Sequence, residues 1–278
     1  MGCQTILEFQ FRLLLDLNAK KMNIDLTINT ETCLLMFDIH QNISWAKSIL
    51  AAEAGNFSHL VLGGDYFDSK AKEASTVSET CRFLMESAGT YADKVTILLG
   101  NHDVQYLEGR HRYLKYRNPK KLNYKLSGFS NNKGKKIAKN LSDDFCLRLR
   151  LFQLVNGYLI SHAGIAKKHW APHSETAFSL ESFNQYCDEV LNNFPHHYYS
   201  ILAAGTARGG NEPAGGITWQ DWDKEFSDEA IPYPQIVGHT SSSRGARKNG
   251  RSWCLDGKQS CYGLLSKNGI LSIKTITV

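Results

Sequence analysis

The sequence predicts an α/β fold, because short apolar runs alternate with helical patterns through the first third of the chain. Each run is four or five residues long and leads into a polar loop and then an amphipathic segment. Such alternation is typical of parallel strands joined by right-handed crossovers, with helices on both faces of the sheet. A later hairpin signal indicates that part of the sheet is antiparallel. The length of 278 residues fits one domain with a large core.

The first part of the chain predicts three strands separated by two helices. Apolar runs define the strands, and apolar positions spaced three and four apart define the helices. Ser44 is the predicted N-cap of the first helix, and Gly55 is predicted to end it. His59, which lies inside a strand, is expected to have a structural role. The predicted strands span 33–37, 59–62 and 95–99, and the predicted helices span 45–54 and about 76–87.

The second part of the chain predicts a hairpin, one helix and a β-rich end. Asn156-Gly157 is the strongest short turn signal and separates the two strands of the hairpin, 147–155 and 158–161. Asn268-Gly269 marks a second hairpin turn. Residues 205–216 are rich in glycine and are expected to be irregular. The helix is predicted at 180–193, and the later strands at 235–237, 251–255, 262–266 and 270–276.

We divide the sequence into an N-terminal helical extension, residues 1–30, and one domain, residues 31–278. The stretch from Ile6 to Leu17 is apolar but contains three charged residues, which favours an amphipathic helix over a signal peptide. No run approaches the roughly 18 apolar residues that a membrane span requires. Seven scattered cysteines are typical of free thiols in a reducing compartment, so we expect a cytoplasmic protein that does not bind membranes.

A basic insertion is predicted at residues 109–139, which contain eleven Lys or Arg and no Asp or Glu. The net charge of the chain is +5, so the remainder sums to 5 minus 11, or −6. Aromatic residues and helix breakers are interleaved with the charges, and an irregular insertion is therefore expected. It is either a solvated loop or a collar that attracts a polyanionic substrate or nucleic acid.

Five segments end an apolar run with residues that bind metal ions. Functional residues of such sheets collect at the loops that leave the carboxyl ends of the strands, so these segments should converge on one edge. Five in this order make coincidence improbable. They are Asp38-Ile39-His40, Gly64-Asp65 followed by Asp68, Gly100-Asn101-His102-Asp103, Ser161-His162-Ala163-Gly164 and Gly238-His239-Thr240.

The residue types favour two metal ions. Asp38 and His40 are two residues apart, so in strand geometry both face one ion, and the Asp65 carboxylate has two oxygens with which to bridge two ions. Asn101, His162 and His239 would complete the ligand shell of the second ion. Carboxylate and imidazole ligands without cysteine favour Mn, Fe or Zn.

Two metal ions acidify a water molecule and hold phosphoryl oxygens in line with the resulting hydroxide. Hydrolysis of phosphate esters by a metal-bound hydroxide is therefore the expected reaction. His102 is adjacent to a predicted ligand and is positioned to protonate the leaving alkoxide, and Asp68 is positioned to orient it. Alternatively, His102 caps a helix or stabilises a turn.

These motifs resemble the calcineurin-like metallophosphoesterase superfamily, whose signature combines D-x-H, G-D-x-x-D, G-N-H-[DE], a later histidine and a G-H motif. The resemblance extends from Asp38 to the C-terminus. It implies two mixed β-sheets packed as a sandwich flanked by helices. It also implies that Asp38, His40 and Asp65 bind one ion, that Asp65, Asn101, His162 and His239 bind the other, and that His102 with Asp68 is the general acid pair.

Within the superfamily, the chain resembles the phosphoprotein phosphatase and diadenosine tetraphosphatase branch. Ser161 to Ile165 and Trp253 to Gly257 are similar to that branch. The nuclease and phosphodiesterase branches usually have a second histidine where this chain has Ser241.

Three positions depart from the phosphatase pattern. Gln41 replaces a glycine, Asp103 replaces a glutamate, and Ser69 replaces an arginine that grips the phosphate. A serine hydroxyl is a poor substitute for a bidentate guanidinium. Arg208 and Arg244 are the candidate replacements.

Three hypotheses follow. The first is a phosphatase that acts on a phosphoprotein, a nucleotide or a dinucleoside polyphosphate. The second is a nucleic-acid or nucleotide phosphodiesterase, which Asp103, Ser69 and the basic insertion favour. The third is a catalytically silent binding protein, against which the complete set of ligands argues.

Overall fold

Two mixed β-sheets of six strands each form the framework of the molecule. The computed structural model describes residues 25–69, 71, 74–107, 128–170, 179–194 and 197–276. The predicted α/β fold with two sheets and flanking helices is confirmed. No helix among the described residues is both long and apolar enough to cross a bilayer.

The strands are numbered in chain order. The first sheet has the order β12-β11-β2-β3-β4-β5 and contains β2 (Thr32–Met36), β3 (His59–Leu62), β4 (Val95–Leu98), β5 (Leu149–Arg150), β11 (Cys261–Ser266) and β12 (Leu271–Thr275). The second sheet has the order β1-β6-β7-β8-β10-β9 and contains β1 (Thr27–Ile28), β6 (Phe152–Val155), β7 (Tyr158–Ser161), β8 (Gln235–Val237), β9 (Arg247–Asn249) and β10 (Ser252–Cys254).

The helices of the described residues cover the sheets and connect their strands. They are α1 (Ile43–Ala52), α2 (Val77–Tyr91), α3 (Asn101–Val104), α4 (Asn131–Asn140), α5 (Asp143–Leu147), α6 (Lys167–Trp170) and α7 (Leu180–Asn193). Short 3₁₀ helices lie at Ala92–Lys94, Ser200–Leu202 and Thr206–Arg208.

The central strands of each sheet are parallel. β2 pairs with β3, β3 with β4, and β7 with β8, all in parallel, so the carboxyl ends of neighbouring strands meet at one edge. Successive side chains of a strand point to opposite faces of its sheet, so they pack into two different layers of the core. Leu35 and Ile160 pack between the two sheets, whereas Leu34 belongs to the larger core that also contains Ile49 of α1 and Leu84 of α2. This arrangement fixes the loops that leave the strands.

Local details of two predicted helices were wrong. The N-cap of α1 is Asn42 rather than Ser44, because the Asn42 side chain accepts the Trp45 backbone N–H at 3.2 Å while the Ser44 hydroxyl donates to Asn42. α2 begins after Thr76, close to the predicted start, but it extends to Tyr91 instead of ending near residue 87.

The predicted strand 147–155 is divided into three elements. Leu147 ends α5, β5 pairs with β4 in the first sheet, and β6 pairs with β7 in the second. The continuous apolar run therefore conceals a crossing between the sheets. The hairpins at Asn156-Gly157 and Asn268-Gly269 are present as antiparallel pairs.

Two predicted segments lie largely outside the described residues. The helix expected at Ile6 to Leu17 is outside them, whereas Thr27 and Ile28, at the end of the same extension, pair with β6 in the second sheet. Residues 109–127 of the basic insertion are also outside. The prediction of irregular structure was wrong for its last part, because α4 forms there with Gly134 and Ile137 buried.

Candidate active site

The carboxyl-terminal edge of the two sheets brings together the side chains that the motifs predicted. Each lies in a loop or short helix directly after a strand. Asp38 and His40 follow β2, Asp65 and Asp68 follow β3, Asn101 and His102 follow β4, His162 follows β7, and His239 follows β8.

The backbone at this edge departs from strand geometry. Asp38, Asp65 and His239 have φ angles of 53°, 56° and 67°, a left-handed conformation that is costly for residues with a Cβ atom. Strand pleating therefore does not align Asp38 with His40, contrary to the prediction. The loop does so instead, through backbone bonds such as His40 N–H to the Asp65 carbonyl at 2.8 Å.

Asp38, His40 and Asp65 form one potential metal site, with one ligand atom of each within 4.8 Å of the others. The Nε2 atom of His40 lies 3.6 Å from Asp65 Oδ2. Its Nδ1 atom is 3.0 Å from the Phe67 carbonyl, which can only accept a hydrogen bond. The proton therefore belongs on Nδ1, and the Nε2 lone pair is left free for an ion.

Asp65, His162 and His239 form a second potential metal site, whose ligand atoms also lie within 4.8 Å of one another. His162 is oriented in the same way as His40, since its Nδ1 atom is 2.9 Å from the Gly63 carbonyl. Asn101 Oδ1 lies 3.3 Å from His162 Nε2 and adds a neutral oxygen donor. Asp65 is thus shared by both sites.

The residues present fit a pair of metal ions. Asp38 Oδ1 and His239 Nε2 are buried without a hydrogen-bond partner, which is costly unless an ion satisfies them. Burial, together with the charges of His162 and Arg208, holds the pKa of His239 well below its usual value, so its imidazole is neutral. The donors are carboxylate, imidazole and amide oxygen, and they match metals such as Mn, Fe and Zn better than thiophilic ions.

The carboxylates that lie close together at this edge shift the pKa values of the candidate ligands. Burial and the charge of Asp256 raise the pKa of Asp38 well above its usual value. Burial would lower the pKa of His162, but the Asp65 carboxylate outweighs it and raises the value to about 10. The metal-free edge therefore retains protons that binding cations would displace.

Two residues that are not themselves candidate ligands hold the loops that carry the ligands. Asp103 is buried and accepts the backbone N–H groups of Asp65, Tyr66 and Gly100. A glycine is required at position 100, because a Cβ atom there would collide with the Asp65 carboxylate. Asp103 thus serves the backbone of the metal site.

Sequence reasoning missed two residues behind Asp38. Gln259 donates from Nε2 to the Asp38 and Ile39 carbonyls at 3.1 and 2.9 Å. Asp256 is buried and lies close enough to affect the pKa of Asp38. Asp256 lies in the segment Trp253 to Gly257, which resembles the phosphatase branch. Its acidic side chain directly after an apolar strand was the sequence feature that could have identified it.

His102 and Asp68 form a pair beside the metal site. His102 Nδ1 lies 3.1 Å from Asp68 Oδ2, and the His102 backbone N–H donates to Asp65 Oδ1 at 2.9 Å. Burial would lower the pKa of His102, but the charges of Asp65 and Asp68 outweigh it and raise the pKa. The imidazole can therefore carry a proton at neutral pH.

Two of the three departures from the phosphatase pattern have local explanations. Gln41 has a φ angle of 62°, the region that favours glycine, and its side chain donates to the Ser75 carbonyl at 2.5 Å and accepts the Ser69 N–H at 3.3 Å. The Ser69 hydroxyl accepts the Ala71 N–H. Both side chains are therefore engaged in the loop that follows Asp68.

Of the two candidate arginines, Arg208 is nearer to the ligands. Its guanidinium donates to Thr240 Oγ1 at 2.8 Å, next to His239, and pairs with Asp221 at 2.8 Å. Arg244 is exposed further along the chain. Arg247, which sequence reasoning missed, donates to the Thr240 carbonyl.

The arrangement defines a hydrolase with a candidate dinuclear metal centre. A model of the calcineurin-like phosphoesterase family matches residues 37–270, and the chain belongs to this family. The predicted superfamily is confirmed, and the protein is a metal-dependent phosphoric ester hydrolase.

Solved phosphatase structures share the fold. A cold-active protein-tyrosine phosphatase of a psychrophilic Shewanella species has a TM-score of 0.56 and 16% identity over 89% of this chain and 82% of that one. A protein serine/threonine phosphatase from Saccharomyces cerevisiae with similarity to human phosphatase PP5 has a TM-score of 0.52 and 15% identity over 93% of this chain and 82% of that one. Identities this low establish the fold alone. A comparison with curated protein sequences gave no match.

Proposed function

We propose that this protein is a two-metal phosphatase of the serine/threonine phosphatase or diadenosine tetraphosphatase type, acting on a phosphoprotein, a nucleotide or a dinucleoside polyphosphate. The observation that carries the proposal is the Asp65 carboxylate, which belongs to both potential metal sites. A shared carboxylate is the usual bridge of dinuclear hydrolytic centres. When bound, the two ions supply acidification of a water molecule and neutralisation of the phosphoryl oxygens.

We assign the ligands by their positions. Asp38, His40 and Asp65 would hold one ion, and Asp65, Asn101, His162 and His239 would hold the other. Carbonyl groups of the β3 loop fix the imidazoles of His40 and His162, so the protein contributes an ordered set of donors before metal binds.

His102 is the proposed proton donor to the leaving oxygen. Asp68 Oδ2 accepts the Nδ1–H of His102, so the Nε2–H group of His102 is left to face the ester. Nearby carboxylates raise the pKa of this imidazole and so favour its protonated form, whose proton can pass to the departing alkoxide. Asp68 keeps the ring oriented during the transfer.

We propose that positively charged side chains around the carboxyl-terminal edge of the sheets select the substrate. Arg208 is the proposed contact to the phosphate in place of an arginine at Ser69, and its side chain is 29% exposed. The basic segment 109–139 would attract a polyanionic substrate, nucleic acid included, through its field. We also propose a cytoplasmic location, because the six described cysteines are free and buried.

A panel of substrates tests the proposed function. With Mn added, the full chain would be assayed on aryl phosphate, phosphopeptide, dinucleoside polyphosphate, bis-aryl phosphate, cyclic nucleotide and single-stranded nucleic acid. We expect monoester or polyphosphate hydrolysis to dominate and Asp65→Asn to abolish it. Faster hydrolysis of the diesters would instead support the phosphodiesterase alternative, and a lack of activity on every ester would refute the proposal.

A further inference from the structure

The Asp68 carboxylate is more heavily hydrogen-bonded than orientation of His102 requires. Its side chain is only 1% exposed, and each oxygen accepts two donors. Oδ2 faces His102 Nδ1 at 3.1 Å and the Gln105 amide, while Oδ1 faces the Tyr106 hydroxyl at 2.7 Å and Lys133 Nζ at 2.5 Å. All four positions around the carboxylate are therefore occupied.

Lys133 differs from the other three donors in its charge and in its origin. Gln105 and Tyr106 belong to the chain that immediately follows His102, whereas Lys133 is 65 residues from Asp68 and lies on α4. Its ammonium forms an ion pair with the buried Asp68 carboxylate at this edge. A buried carboxylate that loses its cationic partner is strongly destabilised, so this pair has structural consequences for Asp68.

The contact is built into the fold of the segment around it. Lys133 Nζ also donates to the Gly128 carbonyl at 3.3 Å, and the Phe129 ring stacks on Tyr106 with centroids 5.3 Å apart. Ile137, one turn further along α4, is fully buried in the main core. The ammonium therefore reaches Asp68 from a helix that is anchored in the main core.

We propose that Lys133 is a positioning residue of the hydrolytic site, which acts by holding Asp68 so that Oδ2 stays aligned with His102. The inference rests on the proposed role of His102 as proton donor. It makes the end of the basic segment a part of the catalytic apparatus, in addition to any attraction of substrate. Lys133 itself is not required to touch the phosphate.

The experiment compares neutral and charged replacements in two backgrounds. Lys133→Met and Lys133→Gln would be measured beside Lys133→Arg, each alone and combined with Asp68→Asn, on an alkyl phosphate with a poor leaving group. We expect both neutral variants to lower kcat by about 10- to 100-fold, the scale of a small misplacement of a catalytic group. KM should change by less than about two-fold, and Lys133→Arg should restore most of kcat.

The double-mutant cycle decides whether the effect passes through Asp68. In the Asp68→Asn background, Lys133→Met should have no further effect on kcat. The inference would be overturned if Lys133→Met lowered kcat as strongly in that background as in the wild type. It would also be overturned if the neutral single variants raised KM with kcat unchanged, or if both had wild-type kinetics. Running two neutral variants keeps the test decisive if one of them does not fold.

Three controls separate this inference from the proposed function. Lys94→Met removes an exposed charge just before β4, at the end of that strand opposite to His102, and should match wild type. Metal content by elemental analysis should be unchanged in the Lys133 variants, since Lys133 contacts no proposed ligand. Inactivity of the wild type on all esters would refute the proposed function. An active wild type with a defective His102→Ala but a normal Lys133→Met would refute the positioning role alone.

Discussion

Asp103 accepts the backbone N–H of Asp65 at 2.7 Å, so one buried carboxylate fixes the backbone of another. The same side chain accepts the N–H groups of Tyr66 and Gly100 at 2.9 Å each. It therefore ties the loop after β3 to the loop after β4. The left-handed backbone of Asp65 persists because these bonds hold it.

We expect Asp103→Ala to destabilise the fold and to weaken metal binding. Three buried N–H groups would lose their acceptor, and the unfolding free energy should fall by about 2–4 kcal/mol. Asp103→Asn has nearly the same volume but retains one acceptor oxygen, so its loss should be smaller. Denaturant unfolding of metal-free protein measures the difference, and equal stability of Asp103→Ala and wild type would contradict this role.

Asp65→Asn should lose metal and reduce activity by several orders of magnitude while the fold persists. The bridging position needs two anionic oxygens, and a carboxamide supplies only one neutral oxygen. The sheets do not depend on this charge, because their core is apolar. Elemental analysis is the direct measurement. Two fully occupied ions in the variant would exclude the bridging role.

His102→Ala should retain both metals but lower turnover by about 10²- to 10⁴-fold, the range for removal of a general acid. The defect should shrink on aryl phosphates, whose leaving groups need little protonation. Comparison of an alkyl with an aryl ester in the same variant measures this dependence. A wild-type rate on the alkyl ester would show that another group supplies the proton.

The sequence predicted the convergence of the candidate ligands on one edge better than it predicted the connections between strands. Ligand motifs are short and each follows its own strand, so local patterns place them, and parallel pairing then brings the strand ends together. The strands at His59–Leu62 and Gln235–Val237 match their predictions. The run 147–155 did not, because apolar residues on either side of Leu151 belong to different sheets.

Contacts between distant segments explain the other differences. Gly134 and the surrounding lysines suggested an irregular insertion, yet burial of Ile137 stabilises α4 where local propensity is poor. The pairing of Lys133 with Asp68 could not be deduced from spacing, because it depends on where that helix packs. The assignments of Asp38, His40 and the other ligands to particular ions remain predictions.

His59 makes stability depend on pH. Burial lowers its pKa to about 4, below the value of roughly 6.5 for an unfolded histidine. Between these values the unfolded chain binds the extra proton, so the contribution of His59 is complete above about pH 6.5 and is lost as pH falls toward 4. Burial also lowers the pKa of His169 to about 4, and its contribution has the same sign.

His59→Gln measures this contribution, because glutamine can retain a hydrogen bond to Thr96 without titrating. Metal-free wild type should lose about 2 kcal/mol more than this variant between about pH 7 and about pH 5. Denaturant unfolding at both values gives the comparison. The same pH dependence in both proteins would show that His59 titrates normally in the folded state.

The exposed lysines of α4 should attract polyanionic substrates without taking part in the reaction. Lys136 and Lys139 are exposed on the helix from which Lys133 reaches Asp68, so their field extends over the site. Replacing both by Gln should raise KM for a dinucleoside polyphosphate or an oligonucleotide by a few-fold, on the order expected for steering, with kcat little changed.

Salt provides the second measurement of this steering. Because the Debye length is about 8 Å at physiological ionic strength, wild-type kcat/KM on the polyanion should fall as salt increases, and the double variant should respond less. Lys94→Gln controls for the loss of an exposed charge elsewhere. A small aryl phosphate should be much less affected than the polyanion. Equal losses on both substrates would mean that these lysines support the structure of the segment and do not attract substrate.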